Sequence, residues 1–178
     1  MEPATLNDRA VVKAQLRRDP RGAFDVQVCC SFQYPQVIRV APLVGGKPFP
    51  TLYWLTCPFL RSQIGTIEAN GWIKRLEKRL AEEPDLRAAL QRAHQRYIRQ
   101  RHTLLAKGIA HQDLPPQMQQ SLERGGIGGI LDWTRLKCLH LHVAHAMADE
   151  NPVGEIVLSM LDAHECPKEK VICSAQAS

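Results

Sequence analysis

The stretch Thr51-Leu52-Tyr53-Trp54-Leu55-Thr56-Cys57-Pro58 marks the point at which the chain changes in character. Its first seven residues are rich in types that favour an extended backbone, which predicts a strand over Thr51–Cys57. Pro58 is suited to the first turn of a helix, and the residues after it have helical periodicity. The chain is therefore expected to pass from sheet to helix at Pro58.

Two segments upstream of this stretch also have the character of strands. Phe24–Cys30 alternates apolar and polar residues until its end, and Pro35–Val44 is rich in Val and Ile. The turn Gly45-Gly46-Lys47-Pro48 leads from the second segment towards the third. These observations predict a small antiparallel sheet over residues 24–57.

Downstream of Pro58 the apolar residues recur at helical spacing, and Asn-Gly, Pro and Gly residues separate the periodic segments. The helices predicted in this way are Phe59–Asn70, Trp72–Glu83, Asp85–Lys107, Leu136–Asp149 and Val153–His164, with a short helical piece between Pro115-Pro116 and the loop Gly125–Gly129.

The predicted fold class is α+β, with a small N-terminal antiparallel sheet packed against four to six helices and a mainly helical C-terminal two-thirds. Residues 1–178 are expected to form a single domain. Within it, residues 24–57 are the sheet region and residues 58–164 the helical region. Residues 1–23 and 165–178 are expected to be loosely ordered ends.

The composition is that of a globular protein. The 178 residues are 44% hydrophobic and 23% charged, which excludes wholesale disorder. The N-terminus lacks the apolar core of a signal peptide, and no run approaches the roughly 18 apolar residues of a membrane span. We therefore expect a cytoplasmic protein without a membrane partner.

In a reducing compartment, six cysteines more often indicate metal binding, catalysis or packing than disulfides.

The segment around Cys138 carries two histidines at helical spacing. On a helix, Cys138, His142 and His145 would stand at i, i+4 and i+7 and share one face, whereas His140 would point away. Apolar residues border this stripe on both sides, which predicts that it is buried. Buried imidazoles need partners, and backbone carbonyls, carboxylates or a metal would all serve.

Two further thiols are expected at the ends of strands. Cys57 directly precedes a helix, whose N-terminal dipole favours the thiolate, and Cys30 approaches Cys57 if their strands are neighbours. The leading hypothesis is a metal-binding protein that holds zinc or an iron–sulfur cluster. Its predicted ligands are Cys30, Cys57, Cys138, His142 and His145. The chain has no C-x-x-C pair, and separately packed cysteines, with no metal bound, are the alternative.

Two other classes of function stay open, and the sequence does not decide whether the protein is an enzyme. A thiol-dependent enzyme would use Cys57 or Cys138 as the nucleophile and His142 or His145 as the base. The loop Gly125–Gly129 or Arg124 would then hold an anionic group.

An RNA- or protein-binding module would instead use a basic stripe on the longest predicted helix. Arg92, Arg96 and Arg99 share this stripe, opposite the apolar side, and would meet an anionic partner. A solvated helix face is the simpler interpretation of such a stripe.

Several segments together resemble a bacterial family known as domain of unknown function number five hundred and one. They are Pro35-Gln36-Val37-Ile38 after Cys30, the segment Pro48–Pro58, the glycine-rich loop leading into Lys137-Cys138-Leu139-His140 with His142 and His145, and Asn151-Pro152-Val153-Gly154. The resemblance covers about residues 24–160. It implies that Cys30, Cys57 and Cys138 are the family's sulfur positions and that Cys29, Cys166 and Cys173 are peripheral. It implies no activity.

The chain departs from the family pattern at one place. A Cys-x-x-Gly element occupies the position of Cys30 in the family, and Gln33 stands here where that glycine would be. The local turn is therefore expected to differ.

Overall fold

A three-stranded antiparallel sheet forms the N-terminal part of the computed structural model, which describes residues 4–20, 22–45, 47–106 and 115–176. The sheet has the order β1-β2-β5, with β1 at Phe24–Cys29, β2 at Pro35–Val40 and β5 at Tyr53–Leu55. Strands β3 (Leu43–Val44) and β4 (Lys47–Pro48) pair as a small separate hairpin. The predicted antiparallel sheet is confirmed, although its third strand is shorter than Thr51–Cys57.

Helices make up most of the rest of the described chain. They are α1 (Leu6–Leu16), α2 (Pro58–Ala69), α3 (Trp72–Glu82), α4 (Pro84–Ala106), α5 (Pro116–Arg124), α6 (Leu139–Ala148) and α7 (Pro152–Leu158). Short 3-10 turns occupy Ile127–Gly129, Lys168–Lys170 and Ile172–Gln176. The α+β class is confirmed. Lys107, the predicted end of the longest helix, lies outside the described residues, and no helix within them is long and apolar enough to cross a membrane.

Helix α7 ends six residues before the predicted end at His164. The side chain of His164 itself contributes to this early end, because its Nε2 lies 3.0 Å from the carbonyl oxygen of Leu158. A carbonyl in the last turn of a helix has no partner within the helix, and this contact supplies one. The chain therefore turns after Leu158.

The sheet is covered on both faces, and strand β2 shows this most clearly. Val37 points into the main core, where it joins residues of α2, α6 and α7. Ile38 and Val40 point to the opposite face, where they pack with Val12 of α1 and with Phe24. Alternate residues of a strand face opposite sides, and β2 has buried apolar residues on both. Its charged residue, Arg39, pairs with Asp25 at 2.6 Å. Helix α1 lies within the segment that the sequence left loosely ordered, yet Val12 is fully buried.

The glycine-rich loop is packed against α4 by a buried arginine. Arg101 has no exposed surface, and its guanidinium donates to the carbonyl oxygens of Leu122, Gly125 and Gly126 at 2.6 to 2.9 Å. A Cβ atom at Gly126 would lie only 2.1 Å from Nδ1 of His94. The carbonyl groups of the loop thus accept from the guanidinium of Arg101, and its glycines allow the loop backbone to lie close to α4.

The turn between β1 and β2 keeps a conformation that glycine favours. Gln33 has φ 65°, in the left-handed region. Its N–H donates to the Cys30 carbonyl at 2.9 Å, and the Cys30 N–H donates to the Tyr34 carbonyl at 3.0 Å. The glutamine therefore occupies a backbone geometry that glycine would adopt without strain.

Replacing Gln33 by glycine should stabilise the protein. The left-handed conformation costs an L-residue about 1–2 kcal/mol, whereas the greater freedom of glycine in the unfolded chain costs about 0.5–1 kcal/mol. We expect Gln33→Gly to raise the free energy of unfolding by about 0.5–1 kcal/mol, measured by urea denaturation. As a control, Gln91→Gly on the exposed side of α4 should lower it by about 1 kcal/mol. A loss of stability in Gln33→Gly would show that the left-handed backbone of Gln33 is not strained.

Candidate functional site

Cys138 does not share a helix face with His142 and His145, and this part of the prediction is wrong. The backbone of Cys138 is extended, with φ −160° and ψ 154°, and α6 begins at Leu139. Cys138 is therefore the residue that caps α6, and its side chain leaves in a different direction from those of the helix. The predicted burial of His142 and His145 is confirmed, since they are 2% and 0% exposed.

The two buried imidazoles of α6 have a side-chain amide as their common partner. Nδ2 of Asn151 lies 3.2 Å from Nδ1 of His142 and 3.1 Å from Nδ1 of His145. The ring of His145 also stacks on Tyr53 and meets Tyr97 edge-on, with centroids 5.6 and 4.9 Å apart. An amide N–H donates, so each imidazole accepts at Nδ1 and carries its proton at Nε2 when it is neutral.

A third buried histidine, His94 on α4, belongs to the same region and was missed by the sequence analysis. Its Nδ1 accepts from the N–H of Ile127 at 3.0 Å, and its ring stacks on Trp133. Burial lowers the pKa of His94 to about 4, of His142 to about 3 and of His145 to about 4. All three imidazoles are therefore neutral near pH 7. His94 could not be found from the sequence, because no local sequence pattern connects α4 with α6.

Three side chains of types that can bind a metal meet where α2 and α6 come together. Donor atoms of Glu68, Cys138 and His140 all lie within 4.8 Å of one another, and within the described residues this is the one such set. Glu68 stands in the last turn of α2, Cys138 caps α6, and His140 belongs to the first turn of α6. We call these three residues the Cys138 site. The sequence did not predict His140 as a ligand, because His140 points away from Cys138 if Cys138 belongs to the helix.

The hydrogen bonds of His140 leave its Nδ1 facing a carboxyl oxygen of Glu68. Its Nε2 lies 3.1 Å from the carbonyl oxygen of Arg61, which only accepts, so Nε2 carries a proton. Its Nδ1 lies 3.2 Å from Oε1 of Glu68, which accepts a second bond at 2.5 Å from the N–H of Leu139. A neutral ring has no proton left for Nδ1. Either a second proton or a metal ion must therefore separate the nitrogen lone pair from the carboxylate.

The thiol of Cys138 is half-buried beside these groups. Burial raises the pKa of the Cys138 thiol, and the backbone amides of Leu141 and His140 at the start of α6 partly oppose that effect. Nearby Glu68 raises the pKa of the thiol further. A cation bound between sulfur, imidazole and carboxylate would reverse this balance, since a coordinated thiol is deprotonated outright.

A cavity of about 410 Å³ opens beside the Cys138 site and is lined by both Cys138 and His140. Three cationic side chains, Arg18, Arg61 and Lys137, contribute to its wall. Within the described chain their contacts are neutral: Arg18 lies over Trp54, Arg61 donates to the Gln15 carbonyl and Lys137 donates to the Gly128 carbonyl. The cavity therefore combines a positive wall with the donor atoms of the Cys138 site.

The other two predicted sulfur ligands lie elsewhere. Cys30 and Cys57 line a second, much smaller cavity, together with Cys166 and Cys173. The five predicted ligands are thus distributed over three places: Cys138 at its own site, the two histidines in the core, and Cys30 with Cys57 at the second cavity. Cys166 and Cys173, which the resemblance implied to be peripheral, share the last of these.

The basic stripe of α4 is only partly free. Arg96 lies 3.7 Å from Asp149 and 2.9 Å from Glu150, and it also donates to the Glu150 carbonyl. Arg92 and Arg99 are exposed. An anionic partner for this stripe stays a prediction.

Comparison with known proteins assigns most of the chain to one family model. The model described as Protein of unknown function (DUF501) matches residues 26–159. Curated proteins and solved structures give no match.

The buried histidines predict a loss of stability in mild acid. In the unfolded chain their pKa returns to about 6.5, whereas in the fold it is about 3 to 4. Below pH 6.5 the unfolded state therefore binds protons that the folded state excludes, and the free energy of unfolding falls as the pH falls towards 4. Each histidine contributes a slope of roughly 1 kcal/mol per pH unit.

Urea denaturation between pH 7.5 and pH 4.5 measures this slope. His94→Gln removes the titrating group at this position, so the slope should fall by about a third. The control His102→Gln changes an exposed histidine of the same helix and should leave the slope close to that of the wild type. Equal slopes in the wild type and His94→Gln would contradict the prediction.

Proposed function

The chain belongs to DUF501, a protein family of unknown function, and we propose that it binds a divalent metal ion, zinc by preference, at the Cys138 site. The observation that carries the proposal is the convergence of Glu68, Cys138 and His140, whose donor atoms lie within 4.8 Å of one another. A thiolate, an imidazole and a carboxylate are all ligands that zinc accepts. Three protein ligands leave one position of a tetrahedral zinc ion for water or substrate.

The groups around the three ligands support this assignment. Histidines that bind metal almost always donate their other ring N–H to a carbonyl, a carboxylate or water, which fixes the tautomer. Nε2 of His140 meets the Arg61 carbonyl at 3.1 Å in this way and leaves Nδ1 for the metal. Glu68 is held by the N–H of Leu139. A metal ion between Nδ1 and Oε1 would also satisfy the contact between these two atoms.

The adjoining cavity indicates the class of ligand. Arg18, Arg61 and Lys137 surround it without a carboxylate partner among the described residues, so an anion would gain charge-assisted hydrogen bonds there. Trp54, Leu55 and Leu141 add apolar surface to the same wall. Because Cys138 and His140 line this cavity, an anionic ligand inside it can reach the remaining position of the metal. We infer that the site binds a small carboxylate or phosphate compound.

A thiol-dependent reaction is the second candidate, and the cap position of Cys138 favours it. Burial raises the pKa of the Cys138 thiol, and the backbone amides of Leu141 and His140 lower it, as they do for many reactive cysteines at helix N-termini. A base, however, must offer its free nitrogen to the thiol. Nδ1 of His140 faces Glu68 at 3.2 Å instead, so the geometry supports metal binding better.

Zinc binding to the chelator-stripped full chain tests the proposal. Equilibrium dialysis with elemental analysis should show one zinc equivalent that depends on the Cys138 site. Cys138→Ser and His140→Gln should each weaken that binding at least roughly 100-fold, because each removes a ligand rather than an outer partner. Circular dichroism verifies that the variants fold.

The matched control is Cys29→Ser, which removes an exposed thiol that lines neither cavity and should leave binding unchanged. Wild-type affinity and stoichiometry in both ligand variants would exclude a metal at this site. Rapid alkylation of Cys138 alone at neutral pH, in a chain that binds no metal there, would favour the thiol-dependent reaction.

Anion binding can be followed with cobalt in place of zinc. Inorganic phosphate should perturb the visible spectrum of the cobalt-loaded protein, and Arg18→Gln should weaken this effect about tenfold through the loss of one charge-assisted contact. Arg17→Gln alters the neighbouring exposed arginine, which does not line the cavity, and should have little effect. A spectrum insensitive to phosphate would contradict the anionic class.

A further inference from the structure

Four of the six cysteines converge on one small cavity that the Cys138 site does not include. Cys30, Cys57, Cys166 and Cys173 line this cavity, whose volume is about 10 Å³. Such a volume corresponds to about one water-sized sphere. We propose that these four residues form a second metal centre, a four-thiolate zinc site that binds the C-terminal segment to the sheet.

The four sulfurs come from separate parts of the fold. Cys30 follows β1, Cys57 caps α2, and Cys166 and Cys173 lie in the segment after α7. Cys57 is 6% and Cys173 is 4% exposed, whereas the other two are half-buried. A metal at this point would therefore join the sheet, the start of α2 and the end of the chain. Structural zinc sites join segments in the same manner and contribute directly to folding.

The thiols influence one another, which indicates how closely they are gathered. Burial raises the pKa of the Cys57 thiol, and Cys173 and Cys166 raise it further. Burial likewise raises the pKa of Cys173, with further contributions from Cys166 and Cys30. All four cysteines thus form one electrostatic group.

A hydrogen-bond donor points at one of the sulfurs, and backbone amides affect the pKa of another. Nε2 of Gln15 lies 3.3 Å from Sγ of Cys173, and the amides of Leu60 and Phe59 at the start of α2 lower the pKa of Cys57. N–H groups directed at sulfur stabilise the negative charge of coordinated thiolates. Oε1 of Gln15, by contrast, is buried without a hydrogen-bond partner. The surroundings of the cavity thus supply the outer contacts that a thiolate centre needs.

The C-terminal segment is already held close to the cavity by polar contacts. Glu165 accepts from the N–H and the hydroxyl of Ser31 at 2.9 and 2.8 Å, and Gln36 donates to the His164 carbonyl at 2.8 Å. No three of the four sulfurs lie within 4.8 Å of one another, so a metal has to draw them together. The residues between Cys166 and Cys173 include the exposed 3-10 turn Lys168–Lys170.

The choice of zinc follows from the size of the cavity. Four thiolates also hold iron–sulfur clusters, but such a cluster contains several iron and sulfide atoms, and the cavity has room for about one ion. Zinc accepts four thiolates at about 2.3 Å in a tetrahedron. The site has no position left for substrate, and its role is structural.

Zinc stoichiometry in a chain without the Cys138 site provides the first test. Cys138→Ser should still bind one equivalent of zinc per chain. The same chain with Cys166→Ser and Cys173→Ser added should bind none, whereas adding Cys29→Ser instead should change nothing. Failure of the Cys138 site alone would leave these results intact, so the two proposals are tested separately. Retention of one equivalent in the triple variant would overturn the four-thiolate site.

Hydrogen exchange provides a test that does not depend on counting metal. Zinc added to the Cys138→Ser chain should protect the backbone amides of residues 165–176 at least roughly tenfold, because these residues become fixed to the sheet. The chain that also carries Cys166→Ser and Cys173→Ser should show no such protection. Equal exchange with and without zinc would overturn the proposal, as would iron in place of zinc after anaerobic purification or a native disulfide among the four cysteines.

Discussion

The amide of Asn151 joins two helices and partners two buried imidazoles, and the arrangement of α6 depends on it. Its Oδ1 accepts from the N–H of Gly154 at 3.0 Å, which caps α7, while Nδ2 meets His142 and His145. Leaving these imidazoles unpartnered would cost about 1–3 kcal/mol for each buried polar group. A Cβ atom at Gly154 would lie 2.1 Å from the His142 carbonyl, so glycine permits this close contact of α6 and α7.

Helix α7 packs on one side of α6, and the other sides of α6 contact β5 and α2. It packs against β5, where His145 stacks on Tyr53, and its first turn meets the last turn of α2. The contact with α2 creates the Cys138 site, because Glu68 binds the first N–H group of α6 and stands beside His140. The polar groups of α6 thus divide into two sets. Those inside, His142 and His145, are neutral and accept from the amide of Asn151 at Nδ1, while Nε2 of His145 is buried without a hydrogen-bond partner among the described residues. Those at the helix start, Cys138 and His140, line a cavity.

The two proposed metal centres would have different consequences for the protein. The Cys138 site has three ligands of three chemical types and borders a cavity of about 410 Å³, so exchange with a ligand is possible there. The cavity that the four cysteines of the second centre help to line has a volume of about 10 Å³, which is room for about one ion. One centre is suited to chemistry or ligand binding, and the other to holding the chain end in place.

Local patterns in the sequence predicted most of the secondary structure, although they left α1 within a loosely ordered end. The alternation of apolar and polar residues in residues 24–57 predicted the antiparallel sheet. The helical spacing of apolar residues after Pro58 predicted the helices, and most helix ends were correct to within a few residues. Burial of His142 and His145 followed from their apolar neighbours on the helix. Such features depend on residues only a few positions apart, and the chain carries that information directly.

Tertiary contacts, and not local sequence patterns, decided which residues form the candidate sites. Whether Cys138 belonged to the helix depended on the backbone at its start, and an extended Cys138 turned its sulfur towards His140 and Glu68 instead of His142. Glu68 lies 72 positions before His140, and Cys166 lies more than 100 positions after Cys57. Residues so far apart become neighbours only when helices and strands pack, because burial of apolar surface and not local preference brings them together.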